Sequence, residues 1–250
     1  EILTDVLKAN GFSDQDFELK LGARAYPKRE YVVQYQESDL DFLSRWLEHE
    51  GIYYFFRQED EGEKVVFADA PGGYERIVGE DGFRYRPLVA APGKAGGLAA
   101  WFDAETVWDF RSRQNRTARK IVLRDYNWRT PGADLQASTP VEDYGVGDVC
   151  EYGDHYKTPE EGAQLAAIRS EELRCREKLF CGSSDVRSLR PGTTFELTGC
   201  YRSDYNQRFV VTEVSHHLDQ ALLLGSGGAQ GGSYRNEFVS IPGDVPFRPA

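Results

Sequence analysis

Gln34-Tyr35-Gln36-Glu37-Ser38-Asp39-Leu40-Asp41-Phe42-Leu43-Ser44-Arg45-Trp46-Leu47-Glu48-His49-Glu50-Gly51-Ile52-Tyr53-Tyr54-Phe55-Phe56 contains the change of hydrophobic period that decides the fold. Ser38 has the chemistry of a helix N-cap, and Asp41 stands in the capping-box position, although Asp reaches back less well than Glu. Leu40, Phe42, Leu43, Trp46 and Leu47 then fall on one broad helical face. Gly51 is the stop. From Ile52 to Arg57 the period shortens to that of a strand rich in aromatics, and an acidic turn, Glu59 to Glu63, leads to a partner strand at Lys64–Ala68. Upstream, Tyr31 to Gln36 alternates and predicts another strand. The unit expected is strand, helix, strand, strand, with helix 38–50 packed on strands 31–36 and 52–57 and with Leu43 and Leu47 buried.

Working outward, Ile2, Leu3, Val6 and Leu7 predict a short amphipathic helix over residues 2–9, stopped by Gly11. Residues 70–100 are rich in Gly, Pro and Ala and predict a connector. Strands are expected at 104–110, 119–125, 193–198 and 208–218, and a hairpin arm before Tyr234–Ile241. Gly225–Gly232 carries five glycines and predicts a mobile loop. Pro242, Pro246 and Pro249 predict an extended exit.

One long helix is expected at 158–180. Thr158 caps it, Pro159 sits at its first position, Glu161 completes a capping box, and Leu165, Ile168, Leu173, Leu179 and Phe180 form its stripe. Arg169, Glu172 and Arg176 project into that stripe. They are either long stems snorkelling over apolar surface or an ion ladder at a packed interface. The domain scheme is residues 1–85 as an α+β unit, 86–103 as connector, 104–241 as a barrel-like domain with the inserted helix, and 242–250 as linker. The fold class is α+β, dominated by strands.

The chain has 250 residues and a formal net charge of -11, which argues against non-specific binding to nucleic acid or to an anionic membrane. The charge is segregated. Residues 37–63 carry nine acids against Arg45 and Arg57, and residues 111–130 carry seven bases against Asp125. These stretches are either two solvated faces or patches that meet between subunits. No apolar run exceeds five residues, so no membrane-spanning helix is expected, and Glu1-Ile2-Leu3-Thr4-Asp5 is no signal peptide. Methionine is absent even at position 1, which implies a piece of a longer protein. Cys150, Cys175, Cys181 and Cys200 form no CxxC pair and are expected as reduced thiols in a protein folded in the cytosol.

Chemistry-bearing motifs are lacking. There is no GxSxG, Walker loop, GxGxxG before a helix, or HExxH. His216 and His217 are adjacent, and in a strand they point to opposite faces, so they cannot share an ion. Glu48-His49-Glu50 offers acid and base groups, but His49 also suits a helix C-terminus. The expectation is no enzyme, with no catalytic, cofactor-binding or metal residues and no cofactor.

The stretch 34–56 resembles the signature of the VgrG family, spike proteins of the bacterial type VI secretion system related to baseplate hubs of contractile-tailed phages. Val122-Leu123-Arg124-Asp125-Tyr126-Asn127-Trp128-Arg129-Thr130-Pro131 is similar to a second family motif. Glu160-Glu161-Gly162 with Leu165-Ala166, and Leu189-Arg190-Pro191-Gly192-Thr193-Thr194-Phe195-Glu196-Leu197, resemble a third and a fourth. Tyr234-Arg235-Asn236-Glu237-Phe238, with Ile241-Pro242 and Val245–Pro249, is similar to the hub's C-terminal end. Trp46 replaces a smaller aliphatic residue, and Asn127 an Asp.

The resemblance implies a hub fragment with a tube-type β-barrel domain plus a smaller α+β domain. It implies a homotrimer whose paired barrels make a pseudo-six-fold ring on the hexameric Hcp tube. It further implies an OB-fold and spike beyond the C-terminus, effector or adaptor proteins as cargo, and assembly in the cytoplasm before injection into a target cell. Arg113, Arg116 and Arg119 are then expected to face acids of the adjacent subunit. A contractile-phage or pyocin-like hub is the alternative, and a spike-linked hydrolase is an alternative of another class.

Overall fold

The computed structural model describes residues 1–77, 82–87, 105–219 and 233–250. Most of the expected connector and the loop Gly225–Gly232 lie outside them. In chain order the elements are α1 (Ile2–Ala9), β1 (Phe17–Lys20), α2 (Asp39–Glu50), β2 (Tyr53–Glu59), β3 (Gly62–Ala68), β4 (Glu75–Arg76), β5 (Phe83–Tyr85), β6 (Thr106–Gln114), β7 (Lys120–Arg124), β8 (Gln136–Pro140), β9 (Asp148–Tyr152), α3 (Pro159–Cys175), β10 (Lys178–Ser184), β11 (Thr193–Thr198), β12 (Arg208–Asp219) and β13 (Ser233–Pro242). The fold is α+β and dominated by strands, as expected.

The chain divides into two compact units that do not follow chain order. One holds residues 1–73, 115–177 and 245–250, and the other holds 74–114 and 178–244. This corrects the scheme of 1–85, 86–103, 104–241 and 242–250. Residues 115–177 are an insertion between two strands of the second unit, β6 and β10, whose ends Gln114 and Lys178 are paired. A reading along the chain sees no Gly or Pro there: the first junction falls where β6 stops and the second between the end of α3 and the start of β10.

The first unit contains two three-stranded sheets, ordered β1-β3-β2 and β8-β7-β9. In the first sheet β1 runs parallel to β3 with Phe17 opposite Val65, and β2 runs antiparallel to β3 with Tyr53 opposite Ala68. Phe17, Val65 and Phe67 pack with Leu7 of α1 and with Phe42, Leu43 and Leu47 of α2. Helix α2 starts as its sequence dictates, with Ser38 Oγ accepting from the Asp41 N–H at 3.1 Å. It ends in a Schellman turn: Gly51 has φ +66°, its N–H reaches Glu48 O, and Ile52 N–H reaches Leu47 O. A side chain at Gly51 would be strained by that φ and would meet Ile168 at 2.7 Å.

Two expectations fail here. Leu40, assigned to the apolar face, is 63% exposed. Tyr31–Gln36 is not a strand, and the strand preceding α2 is β1. Only Val32 packs on the core; Tyr31 and Val33 to Gln36 are exposed, and Gln36 has φ +52°. What is lacking among the described residues is a strand to pair with the segment.

In the second sheet β8 is antiparallel and β9 parallel to β7. Helix α3 lies on it, and Leu165, Ala166 and Ile168 pack with Ile121, Leu123, Leu135 and Tyr156. The cap is Thr158, with Pro159 at the first turn. The helix stops at Cys175 rather than 180, and Leu179 and Phe180 belong to β10. The helical count ran on because those two residues also fit the stripe, yet burial there alternates through Phe180, Gly182 and Ser184.

The second unit is a closed barrel. β12 pairs β13, β13 pairs β10, β10 pairs β6, β6 pairs β5, β5 pairs β11, and β11 returns to β12. Inside are Phe83, Val107, Phe110, Phe180, Phe195, Leu197, Phe209 and Phe238. Phe180 sits 4.7 Å from Phe209 and 5.4 Å from Phe110, centroid to centroid. Gly182 lies opposite Phe238 in the ladder, and a Cβ there would sit 2.3 Å from that ring, so the close approach requires glycine. Asn236, wholly buried, donates to Val186 O and accepts from Ser184 Oγ, both at 2.6 Å.

Candidate functional site

An open cleft of about 530 Å³ lies in the first unit, between the end of α2, the end of β9 with its following turn, and α3. Arg45, Trp46, Glu48 and His49 come from α2, Glu151, Asp154 and His155 from β9 and the turn, and Arg169 and Glu172 from α3. The sequence brings them together for simple reasons. The α2 residues flank Leu47, the last buried position of a capped helix. Val149 packs under α3, so Glu151, two residues on, shares that face of β9. The turn after β9 holds His155 at φ +60° through its N–H bond to Asp125.

The electrostatics of the cleft are incomplete. Arg169 bonds Glu172 at 3.0 Å and Arg176 reaches the same carboxylate at 3.5 Å, so the triplet read in the sequence is an ion ladder. Burial, with the charges of Asp154 and Glu172 beside it, pushes the Glu151 carboxyl up, and Arg169 only partly offsets this. Among the described residues, two buried polar atoms of cleft-lining side chains have no hydrogen-bond partner, the Trp46 indole Nε1 and Asp154 Oδ2. Buried donors and acceptors are normally paired, so these two mark an unfilled requirement.

Glu48-His49-Glu50 does not form an acid–base site. Glu50 is gripped by Arg24 at 3.0 Å and Arg29 at 2.9 Å. Burial opposes its charge, but the bonds from His49 and Arg29 and the charge of Arg24 outweigh it and hold the carboxyl down to about 2. An anion held so firmly is a poor base near neutral pH. His49 Nε2 lies 3.2 Å from Asp154 O, a carbonyl that can only accept from it. Residues 216 and 217 stand exposed on β12 opposite Asn236 and Arg235, and His216 Nδ1 contacts Tyr234 Oη at 2.7 Å.

The segment expected as linker is anchored. Arg248 donates to Gly51 O at 2.7 Å, to Asp69 O at 2.6 Å and to Glu171 Oε2 at 2.7 Å. Its own carbonyl accepts from Arg176 at 3.3 Å. Phe247 stands edge-on to Tyr53 at 6.0 Å. Pro249 and the prolines before it keep the segment extended, as the sequence implied, but the Arg between them is a clamp. Sequence reading missed Arg24, Arg29, Asp154 and Arg248; the only available signal was a lone Arg within an apolar Pro-rich tail.

Of the three arginines expected to face another subunit, Arg119 is engaged within its own unit, 3.1 Å from Asp148. Arg113 and Arg116 are exposed. Among the described residues no cluster of His, Cys, Asp and Glu has the arrangement to hold a metal, and no helix is long and apolar enough to cross a membrane.

The described residues thus form a closed barrel and a helix-backed unit, part of which is inserted in sequence between two barrel strands, with the charged cleft in the helix-backed unit. The sequence pattern of the phage tail baseplate hub (GPD) family matches residues 1–222, and the chain belongs to that family. Over its whole length it is 30% identical to the type VI secretion system spike protein VgrG1b of Pseudomonas aeruginosa, and it is 31% identical over 99% of its length to VgrG1a of the same bacterium. It covers 32% and 37% of those two proteins, so it spans about a third of the relatives it matches. Among solved structures, the E. coli c3393 protein is described as a type VI secretion component similar to T4 tail proteins gp27 and gp5. It superposes with a TM-score of 0.62 over 100% of this chain and 50% of its own, at 22% identity, which bears on the fold alone. The family and fold expected from residues 34–56 hold.

Proposed function

We propose that this chain is the hub of a type VI injection spike. Three copies close a ring that caps the Hcp tube, and effector or adaptor proteins ride on the assembly through a target membrane. The observation that carries this reading is the hub-family match over residues 1–222. The full-length likeness to spike proteins VgrG1b and VgrG1a favours the type VI setting. A contractile phage tail hub is the second reading, favoured by the family's own description. The chain performs no reaction itself: Glu50 is locked as an anion, and the cleft offers no nucleophile beside a base. It assembles in the cytoplasm and leaves with the spike.

Light scattering across a range of protein concentrations tests the core of this reading. The expected mass is three times 28.3 kDa, with the trimer retained by immobilised Hcp. A monomer at every concentration that also fails to bind Hcp overturns it. Hydrolysis of peptidoglycan or lipid by the purified chain, abolished by one point substitution, would overturn the non-enzymatic part.

A further inference from the structure

The two sheets of the first unit end on four strand edges, β1, β2, β8 and β9. An exposed edge is a template for another chain, and proteins blunt such edges with charge, proline, bulges or brevity. β1 has four residues and carries Lys20, β8 ends in Pro140, and β9 carries Asp148 and Glu151. β2 is different. It runs for seven residues, pairs with β3 without a register shift, and contains neither proline nor lysine.

The ladder fixes which way the backbone of β2 faces. Val65 N–H donates to Asp16 O, so Val65 and Phe67 turn their backbone groups toward β1. Lys64, Val66 and Ala68 therefore serve Arg57, Phe55 and Tyr53 of β2. Tyr54, Phe56 and Gln58 are left with N–H and C=O pointing away from the sheet, and among the described residues no strand or loop pairs with them. The Tyr54 and Phe56 rings, edge-on to each other at 6.0 Å, stand exposed along that edge. Tyr54 also lines a groove of about 230 Å³ with Leu47, Ile52, Phe247 and Pro249, an apolar seat at the start of the strand.

The charges around the edge select the occupant. Asp60 and Glu61 stand exposed in the turn at one end, and Glu48 lines the groove at the other. The cations nearby are engaged, Arg57 by Glu18 and Glu59 and Lys64 by Glu59. A segment that fits is extended, apolar beside the two rings and basic at its ends. A second copy has no such segment free, because its basic strands β6 and β7 are built into ladders of their own. We propose that the free edge of β2 takes up a basic, extended segment of a partner protein as a fourth strand. This goes beyond the hub reading and does not depend on the trimer.

The test adds the probe peptide KVTVTVK to the full chain and follows amide exchange residue by residue. The amides of Tyr54, Phe56 and Gln58 should slow by about tenfold or more, while those of Phe55 and Arg57, already bonded to β3, should not change. At low salt KVTVTVK should bind about tenfold more tightly than EVTVTVE, and Asp60→Lys with Glu61→Lys should abolish that preference. Phe56→Pro removes one outward N–H and no ladder bond, so it should cancel the slowing at Tyr54 and Gln58 and leave Phe55 protected. No slowing at the three amides with millimolar KVTVTVK overturns the proposal, and so does binding whose preference survives the reversed turn charges. Slowing of the same amides with rising protein concentration and no peptide also overturns it, by giving the edge to a second copy. Light scattering on the same samples reads the trimer separately, so the two ideas can fail apart.

Discussion

The barrel and the helix-backed unit solve the same problem by different means. In the barrel the ring of strands closes on itself, so the sheet encloses its own core. Phe110, Phe180, Phe195, Phe209 and Phe238 fill it, and ion pairs such as Arg111–Asp109 and Arg202–Asp204 sit on the surface. In the other unit each sheet stops at three strands and keeps two edges. A three-stranded sheet cannot wrap a core, so helices cover it and half-buried charges tie the pieces. Glu50 is held by Arg24 and Arg29, and Arg248 bonds two main-chain carbonyls and Glu171. Closure makes the barrel dependent on volume. Open sheets make the first unit dependent on charge and therefore on pH.

The sharpest break in this comparison is Phe180→Ala. The ring is wholly buried, with neighbours on several sides. Its removal should cost about 3–5 kcal/mol as a cavity left in a closed wall. Hydrogen exchange followed by mass spectrometry should show lost protection in β6, β10 and β13 before α2 or β3 changes. Equal loss in both units would mean that they do not differ as argued.

Arg248→Met keeps the stem and removes the guanidinium. It leaves Gly51 O, Asp69 O and Glu171 without this donor, and the side chain is only 11% exposed. Breaking one side of a buried charged cluster should cost about 2–4 kcal/mol, with faster exchange confined to the first unit. A loss under ~0.5 kcal/mol by denaturant titration would show that the tail rests there without clamping it.

Acid should separate the units next. Glu50 titrates near 4.5 when unfolded and at about 2 when folded. Its contribution is therefore fully present above pH 4.5 and is lost as pH falls from there toward 2. The span corresponds to about 3 kcal/mol. Glu50→Gln should flatten that part of the stability–pH curve for the first unit and leave the barrel's profile unchanged.

What the sequence made legible follows from the same contrast. Helix α2 is readable because its cap, stripe and stop are all local, and cap and stop stand where expected while the stripe loses only Leu40 to solvent. β11 and β12 are readable from alternation alone. The barrel's closure is not, because β5 is too short to show a period and the insertion at 115–177 begins and ends without Gly or Pro. Tyr31–Gln36 alternates as a strand should, yet pairing is a property of the neighbour and not of the segment. The cleft was illegible for a related reason: Trp46 is about a hundred residues from Glu151, Asp154 and Arg169, which come from a strand, a turn and a helix, and each has an ordinary local role. The Arg169–Glu172–Arg176 ladder could be seen because its spacing is helical.

The smallest effect isolates what local chemistry contributes without either core or clamp. Ser38 Oγ accepts from Asp41 N–H at 3.1 Å and donates to Asp41 Oδ2 at 2.7 Å. Thr158 Oγ1 accepts from Glu161 N–H at 3.3 Å, while Glu161 Oε2 takes the N–H of Lys157, one residue outside the cap, at 2.8 Å. The longer Glu reaches back past the cap, and the shorter Asp reaches only the hydroxyl. Ser38→Ala therefore frees one backbone donor and strands no other group, because the Asp41 carboxylate stays by the positive end of the helix. Thr158→Ala removes the same acceptor but leaves the Glu161–Lys157 bond to hold the first turn. Each change should cost about 1 kcal/mol, with Ser38→Ala the larger of the two, and neither should alter exchange in the barrel. Thermal unfolding of the two variants side by side decides it. A larger loss for Thr158→Ala would mean that the reach of Glu161 depends on the threonine cap rather than backing it up.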